Sequence, residues 1–300
     1  MSWNFAYDSP IAIGKLLDRE GLSMSKKFGQ NFLLSNQVRE HIVQILGVDE
    51  TMKVWEIGPG IGALTKVLIA KQASVTAFEI DHGFCRILSS EAFCDDANFR
   101  LIEGDALKTW EPLFLKEGVP DRICGNLPYN VGSICIAKLL EGQCLPPRMV
   151  FTLQKEVSDR LCATAGDKNW SSFTLLAQTD YIIKTEFTIN SGAFYPAPNV
   201  MSSVISMVKR DKPLVDAALR PSFLLVIRDL FAQRRKTVKN NLLSGKVGAL
   251  VGREGVEAIL EESGVAPSKR AEQLDWPQFL ALSEVTSRLS ATIHRDSGNN

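Results

Sequence analysis

No stretch of these 300 residues is apolar for long enough to cross a bilayer, which takes about 20 such residues. Met1 to Gly14 lack a basic region followed by a long apolar core, so no secretory signal is expected. None of the six cysteines (Cys85, Cys94, Cys124, Cys135, Cys144 and Cys162) stands in a Cys-x-x-Cys pair. Their spacings suit neither a zinc site nor a compact disulfide framework, and a reduced, cytoplasmic chain without a metal is the expectation. Net charge is also absent: 34 basic residues balance 34 acidic ones, which excludes a uniformly basic nucleic-acid coat. No internal repeat or low-complexity tract is present. The composition that remains, 45% hydrophobic and 23% charged, is that of a globular chain with room for one large domain and a small one.

Residues 1–35 read as an irregular leader. Ser35 then offers an N-cap, Val38, Ile42, Ile45 and Leu46 recur at helical spacing, and Gly47 closes the helix. Strand and helix signals alternate from there. Lys53 to Ile57, Ser74 to Glu79, Phe99 to Glu103, Asp121 to Cys124 and Met149 to Leu153 are candidate strands, with a helix at Ala63 to Lys71. This alternation predicts an α/β fold with a mostly parallel sheet covered on both faces. Tyr181 to Ile189 and Ser202 to Lys209 read as a closing pair of strands. Pro196-Ala197-Pro198 between them cannot be a central strand. After Asp211-Lys212-Pro213 the periodicity is helical only. Leu224, Ile227, Leu230 and Phe231 form one apolar face, Val256, Ile259 and Leu260 a second, and Phe279, Leu280 and Leu282 a third. The expected organisation is a leader at 1–35, an α/β domain at 36–212, an all-helical domain at 213–291 and a polar, frayed tail at 292–300.

Three features carry chemistry. Glu56-Ile57-Gly58-Pro59-Gly60-Ile61-Gly62 follows the first strand of the sheet and opens a helix, where glycines let a ligand approach the backbone. Its spacing is Gly-x-Gly-x-Gly, so the pyrophosphate register Gly-x-Gly-x-x-Gly is not met. Glu79 ends the next strand, 21 residues after Gly58, where an acid accepts from ribose hydroxyls. Asp105 follows the third strand and can accept from an adenine amino group. Loop and acids at successive strand ends suit a nucleoside without a pyrophosphate, with S-adenosylmethionine as the leading candidate. The plainer alternative is that these acids only cap strand ends.

The second feature is Gly125-Asn126-Leu127-Pro128-Tyr129-Asn130. Asn126 offers an amide oxygen, Leu127 a backbone carbonyl and Tyr129 an aromatic face, a set suited to holding and stacking a base that carries an exocyclic amine. Alone, it also reads as a turn. The third is the stretch Arg228, Arg234, Arg235, Lys236, Lys239 and Lys246, with Asp229 as its one acid, which suits either an anionic partner or a solvated helix face.

Taken together, these segments resemble the ribosomal RNA adenine dimethylase family. The resemblance rests on Lys27-Phe28-Gly29-Gln30-Asn31-Phe32-Leu33, Glu56-Ile57-Gly58-Pro59-Gly60, Glu79-Ile80-Asp81, Gly104-Asp105-Ala106 and Gly125 to Asn130. It extends through Gln154-Lys155-Glu156-Val157, Phe194 to Val200, Arg235 to Leu242 and Arg270-Ala271-Glu272-Gln273-Leu274. It implies a Rossmann-like methyltransferase domain with a small helical C-terminal domain. It also implies S-adenosylmethionine as methyl donor and, as substrate, two adjacent adenosines near the 3′ end of small-subunit (16S) rRNA, within the small subunit or its precursor. By the resemblance, Gln30, Asn31, Leu33, Glu56, Gly58, Gly60, Glu79, Asp105 and Asn126 are cofactor contacts. Asn126, Leu127, Tyr129 and Phe194 form the target-adenine pocket, and Arg234, Arg235, Lys236 and Lys239 face RNA. A monomer is expected. One departure is visible: Ser171 follows Trp170 where the family usually has a glycine, a residue that permits close approach or positive φ.

An adenine N6 is a poor nucleophile because its lone pair is delocalised into the ring. Acceptors at Asn126 and Leu127 for its two hydrogens favour a pyramidal nitrogen, which is transition-state stabilisation by positioned dipoles. Three other readings stand beside this one: a large-subunit rRNA adenine methylase of the antibiotic-resistance type, a DNA adenine methyltransferase, and a ribosome-assembly binding factor.

Overall fold

The structure is a computed structural model and describes residues 3–22, 31–128 and 131–297. Gln30, Tyr129 and the segments Lys27 to Gly29 and 298–300 lie outside the described residues. The chain divides into two units, Met1–Ser158 with Ile182–Lys209, and Asp159–Tyr181 with Arg210–Asn300. The segment 159–181 thus groups with the C-terminal helices, a departure from the contiguous boundary expected near 212.

Among the described residues, the first unit is built on nine strands: β1 (Phe32–Leu33), β2 (Lys53–Ile57), β3 (Ser74–Glu79), β4 (Phe99–Glu103), β5 (Arg122–Asn126), β6 (Arg148–Gln154), β7 (Tyr181–Ile189), β8 (Phe194–Tyr195) and β9 (Ser202–Lys209). Seven of them form one sheet in the order β4-β3-β2-β5-β6-β9-β7. Strands β4 through β6 run parallel, and β9 pairs antiparallel to β6. The strand order reverses direction between β2 and β5, and ligands of open α/β sheets sit outside the carboxyl ends of strands at such a point. Ile57, Glu79 and Asn126 are the last residues of β2, β3 and β5. Gly125 allows β5 to lie close to β2, since a Cβ there would stand 2.4 Å from the Ile57 carbonyl oxygen.

The helix Asn36–Leu46 has the ends read from the sequence. The Ser35 hydroxyl accepts from the Val38 N–H, and Gly47 closes the helix in the left-handed conformation. Its buried face is Arg39, Ile42, Val43 and Leu46, rotated from the expected face and containing an arginine. Part of the stretch read as an irregular leader is helical. Pro10–Arg19 is a helix, with Ser9 accepting from the Ala12 N–H and Pro10 at the first helical position. Burial of Ile13, Leu16 and Leu17 beside Phe32, Ile61 and Phe84 holds it, and a fully buried side chain of this size contributes roughly 1.5–3 kcal/mol. A two-stranded ribbon joins β1 to β8, with Phe32 opposite Tyr195 and Leu33 opposite Phe194.

The second unit is helical. Its C-terminal helices are Arg220–Ala232, Val238–Ser244, Lys246–Ser263 (broken at Gly252) and Trp276–Ser297, so helix continues into the expected tail. Phe223, Ile227, Leu230, Val256, Ile259, Phe279 and Leu282 are buried, and the Phe223 and Trp276 rings stack at 5.8 Å. Ser171 N-caps the helix Ser172–Asp180 in extended backbone (φ −157°), a conformation that asks for no glycine. The indole N–H of the buried Trp170 donates to the Leu274 carbonyl at 3.1 Å.

Candidate active site

A crevice opens at the carboxyl ends of β2, β3 and β5. Asn31, Leu33, Arg39, Glu56, Gly58, Gly60, Glu79, Ile80, Asp105, Asn126, Leu127 and Pro128 are among its lining residues. The glycine loop leaves β2 with Gly58 at φ +69° and Gly60 at φ +57°, conformations that L side chains rarely adopt. Its amides turn inward. Gly58 N–H donates to the Phe78 carbonyl at 2.9 Å, Gly62 N–H to the Pro59 carbonyl at 2.9 Å, and Gly60 N–H to Glu79 Oε2 at 2.9 Å. Glu79 Oε1 accepts from the Ile80 and Asp81 N–H groups, each at 2.9 Å. The loop is therefore closed on the acid of the next strand and does not present a row of amides to a phosphate.

Burial of Glu79, 5% exposed, raises its carboxyl above the ordinary range against the pull of those three N–H donors. Glu56 lies fully buried beneath the loop and accepts from the Thr65 hydroxyl at 2.6 Å. Burial pushes Glu56 up to about 7, with the charge of Glu79 adding to the rise. Asp105 is half-buried and caps the helix Ala106–Glu117 by accepting the Leu107 N–H through Oδ1 at 3.0 Å. The capping role weighed against a ligand role for these acids is real for Asp105, and it uses one oxygen.

Asn126 Nδ2 donates to the Asn31 carbonyl at 2.7 Å. The bond fixes the amide plane and leaves Oδ1 as the acceptor end. Leu127 is buried, its N–H donating to the Thr152 carbonyl at 3.1 Å. Phe194, expected as a wall of the base pocket, is 3% exposed and belongs to the core with Leu33, Ile42, Leu46 and Val204. The pairing of β8 with β1 turns it there, and among the described residues it does not line the crevice. Tyr129 and Gln30 lie outside the described residues.

Arg39 is the site residue that the sequence reading passed over. It is 3% exposed, lines the crevice and carries a full guanidinium. Its signal was spacing: with Ile42, Val43 and Leu46 it keeps the 3-4-7 register of a buried helix face.

In the helical unit, the turn between Arg220–Ala232 and Val238–Ser244 carries the basic residues. Arg234 donates to the Lys168 carbonyl at 2.5 Å, and Lys239 pairs with Glu257 at 2.9 Å. Arg235 is exposed and Lys236 half-buried. The Asn241 amide, buried, donates to the Leu230 and Gln233 carbonyls at 2.8 and 3.1 Å and so folds the turn. Asp229 points inward, where its Oδ2 accepts the Val247 N–H at 2.7 Å, and does not offset the basic surface.

The family model described as ribosomal RNA adenine dimethylase matches residues 21–287. The chain belongs to this family. Two similar relatives carry the name Ribosomal RNA small subunit methyltransferase A. The one from Treponema denticola is 40% identical over 94% of this chain and 96% of its own, and the one from Borreliella afzelii is 36% identical with the same coverage. Among solved structures, a dimethyladenosine transferase from Plasmodium falciparum superposes with a TM-score of 0.68 at 23% identity, covering 83% of this chain and 94% of its own. The 23S rRNA methyltransferase ErmE gives 0.61 at 22%, covering 85% and 98%. At these identities the likeness speaks for the fold: a Rossmann-like methyltransferase sheet and a helical C-terminal region, as the sequence led us to expect.

Proposed function

We propose that this chain transfers methyl groups from S-adenosylmethionine to N6 of two adjacent adenosines near the 3′ end of small-subunit rRNA, giving N6,N6-dimethyladenosine, during small-subunit biogenesis in the cytoplasm. The observation that carries the reading is the Asn126 amide at the end of β5, pinned through Nδ2 with Oδ1 left as its acceptor end, in one crevice with the glycine loop and Glu79. The names of the relatives favour the small-subunit substrate over the large-subunit alternative.

The residues present fit the methyl donor. The amides of Gly58, Gly60 and Gly62 are spent within the protein and the crevice wall holds Glu79 and Asp105, so an anionic pyrophosphate is disfavoured and a cationic nucleoside favoured. Glu79 would accept from the ribose hydroxyls and Asp105 from the adenine amino group, and Asn31 and Leu33 would line the donor's site. The bound donor supplies an electrophilic methyl on a sulfonium. Asn126 Oδ1 and the Leu127 carbonyl accept the two N6 hydrogens of the target, free its lone pair and hold it in line. Tyr129 stacks on the extruded base, and Phe194 supports β1 from the core. No strong base is needed, because the methylated nitrogen becomes acidic and loses its proton to water. The basic turn holds rRNA phosphates.

Mass spectrometry of the 3′ end of small-subunit rRNA from cells with and without this chain tests the reading. Loss of two adjacent dimethyladenosines is expected, and an unchanged spectrum would overturn it.

A further inference from the structure

Arg39 is a buried cation on a helix face that otherwise packs Ile42, Val43 and Leu46. Removing such a charge from water costs several kcal/mol, and an apolar residue would fill the same place without that cost. Its hydrogen bonds show what the arginine does instead. Nη1 donates to the Leu33 carbonyl at 2.7 Å and the Leu34 carbonyl at 2.6 Å. Nη2 donates to Asp8 Oδ1 at 2.5 Å and Asn36 Oδ1 at 3.2 Å. The guanidinium carbon lies 5.8 Å from the centre of the buried Tyr7 ring. A planar fork with donors on both nitrogens meets all four acceptors at once, which an ammonium cannot do.

The segment it grips is the wall of the crevice. Among the described residues, strand β1 has two residues and pairs with the two of β8, a ribbon extended by the Leu34 N–H to the Ala193 carbonyl and marginal alone. It is tied at its start, where the Asn31 carbonyl takes the Asn126 amide, and at its end, where Arg39 takes Leu33 and Leu34. Asp8 belongs to the N-terminal segment, which lies before the residues 21–287 that the family model matches.

We propose that Arg39, braced by Asp8, is a positioning residue that clamps the Asn31–Leu34 strap onto the methyl-donor crevice and, through the Asn31 carbonyl, sets the angle of the Asn126 amide. The N-terminal segment is thereby part of the donor site. The inference rests on the proposed methyl transfer.

Calorimetry of the full chain with S-adenosylhomocysteine, below the melting temperature of each variant, tests it. Arg39→Met should weaken binding about tenfold, Arg39→Lys by less, and Asp8→Asn, at a carboxylate open to solvent, about threefold, as for lost charge-assisted bonds. The double variant Asp8→Asn/Arg39→Met should bind like Arg39→Met alone, because the two residues act as one clamp. If Asp8→Asn and Arg39→Lys bind within about twofold of the wild type while only their melting temperatures move, Arg39 is a structural residue and the inference falls. A wild-type chain that binds no donor would overturn the functional reading, and this inference with it.

Discussion

In the crevice, Glu56 and Glu79 are buried and tied to hydroxyl or backbone N–H donors. In the basic turn, Arg235 stands in solvent and the buried group is the neutral Asn241 that folds the chain beneath it. A small ligand that must be held to a fraction of an ångström is met by groups whose desolvation was completed on folding. Under the proposed function, a long polyanion would meet charges that stay hydrated until contact, above a turn folded by the neutral Asn241 and the inward-pointing Asp229. The two regions should therefore fail in different ways when altered.

The largest effect belongs to Asn126. Asn126→Ala removes an acceptor matched to the transition state, and single-turnover methylation of small subunits should slow by about 10²–10³ with the melting curve preserved. A wild-type rate would break the comparison at its centre. Glu56 comes next. Its carboxyl, raised by burial to about 7 from an ordinary value near 4.3, keeps its proton in the folded chain after the unfolded chain has lost it. Stability from this group is therefore full at pH 4 and declines as pH rises to 7, by about 3 kcal/mol. Thermal melts of Glu56→Gln across that range should be flatter than those of the wild type, and parallel curves would place the burial cost elsewhere.

Asn241→Ala leaves the Leu230, Gln233 and Lys236 carbonyls without its amide and should cost about 1–3 kcal/mol in urea unfolding while weakening subunit binding. The mildest change to the fold is Arg235→Ala with Lys236→Ala, expected within about 0.5 kcal/mol of wild-type stability. It should lower the dependence of log affinity on log salt by about two. An unchanged salt slope would remove the turn from the RNA surface.

Much of this was legible in the sequence because local rules agreed. Ser35 and Gly47 punctuate a helix that ends where they stand, and the β-branched runs at 74–79, 181–189 and 202–209 are strands to the residue. The parts that were not legible depend on partners distant in the chain. Phe194 reads as part of the target-adenine pocket by the resemblance until β8 pairs with β1 and turns it inward. Arg39 keeps the spacing of the buried face, but arginine is seldom buried, and Leu33, Leu34 and Asp8 must be in place before its site exists. The N-terminal helix did carry its signal in Ser9-Pro10, but the stretch is short and mixed with charge, and only packing against Phe32 and Ile61 decides it. The grouping of 159–181 with the C-terminal helices likewise has no mark in composition.

The ribbon of β1 and β8 also bears on synthesis. A nascent chain that has already made the glycine loop, Glu79 and Asn126 still lacks the partner of β1, which arrives only with Phe194 and Tyr195. Pairings this distant in sequence form late, since loop closure must precede them. The crevice is thus completed among the last parts of its unit, and a chain truncated before residue 195 would carry the glycine loop, Glu79 and Asn126 without the strand that pairs with β1.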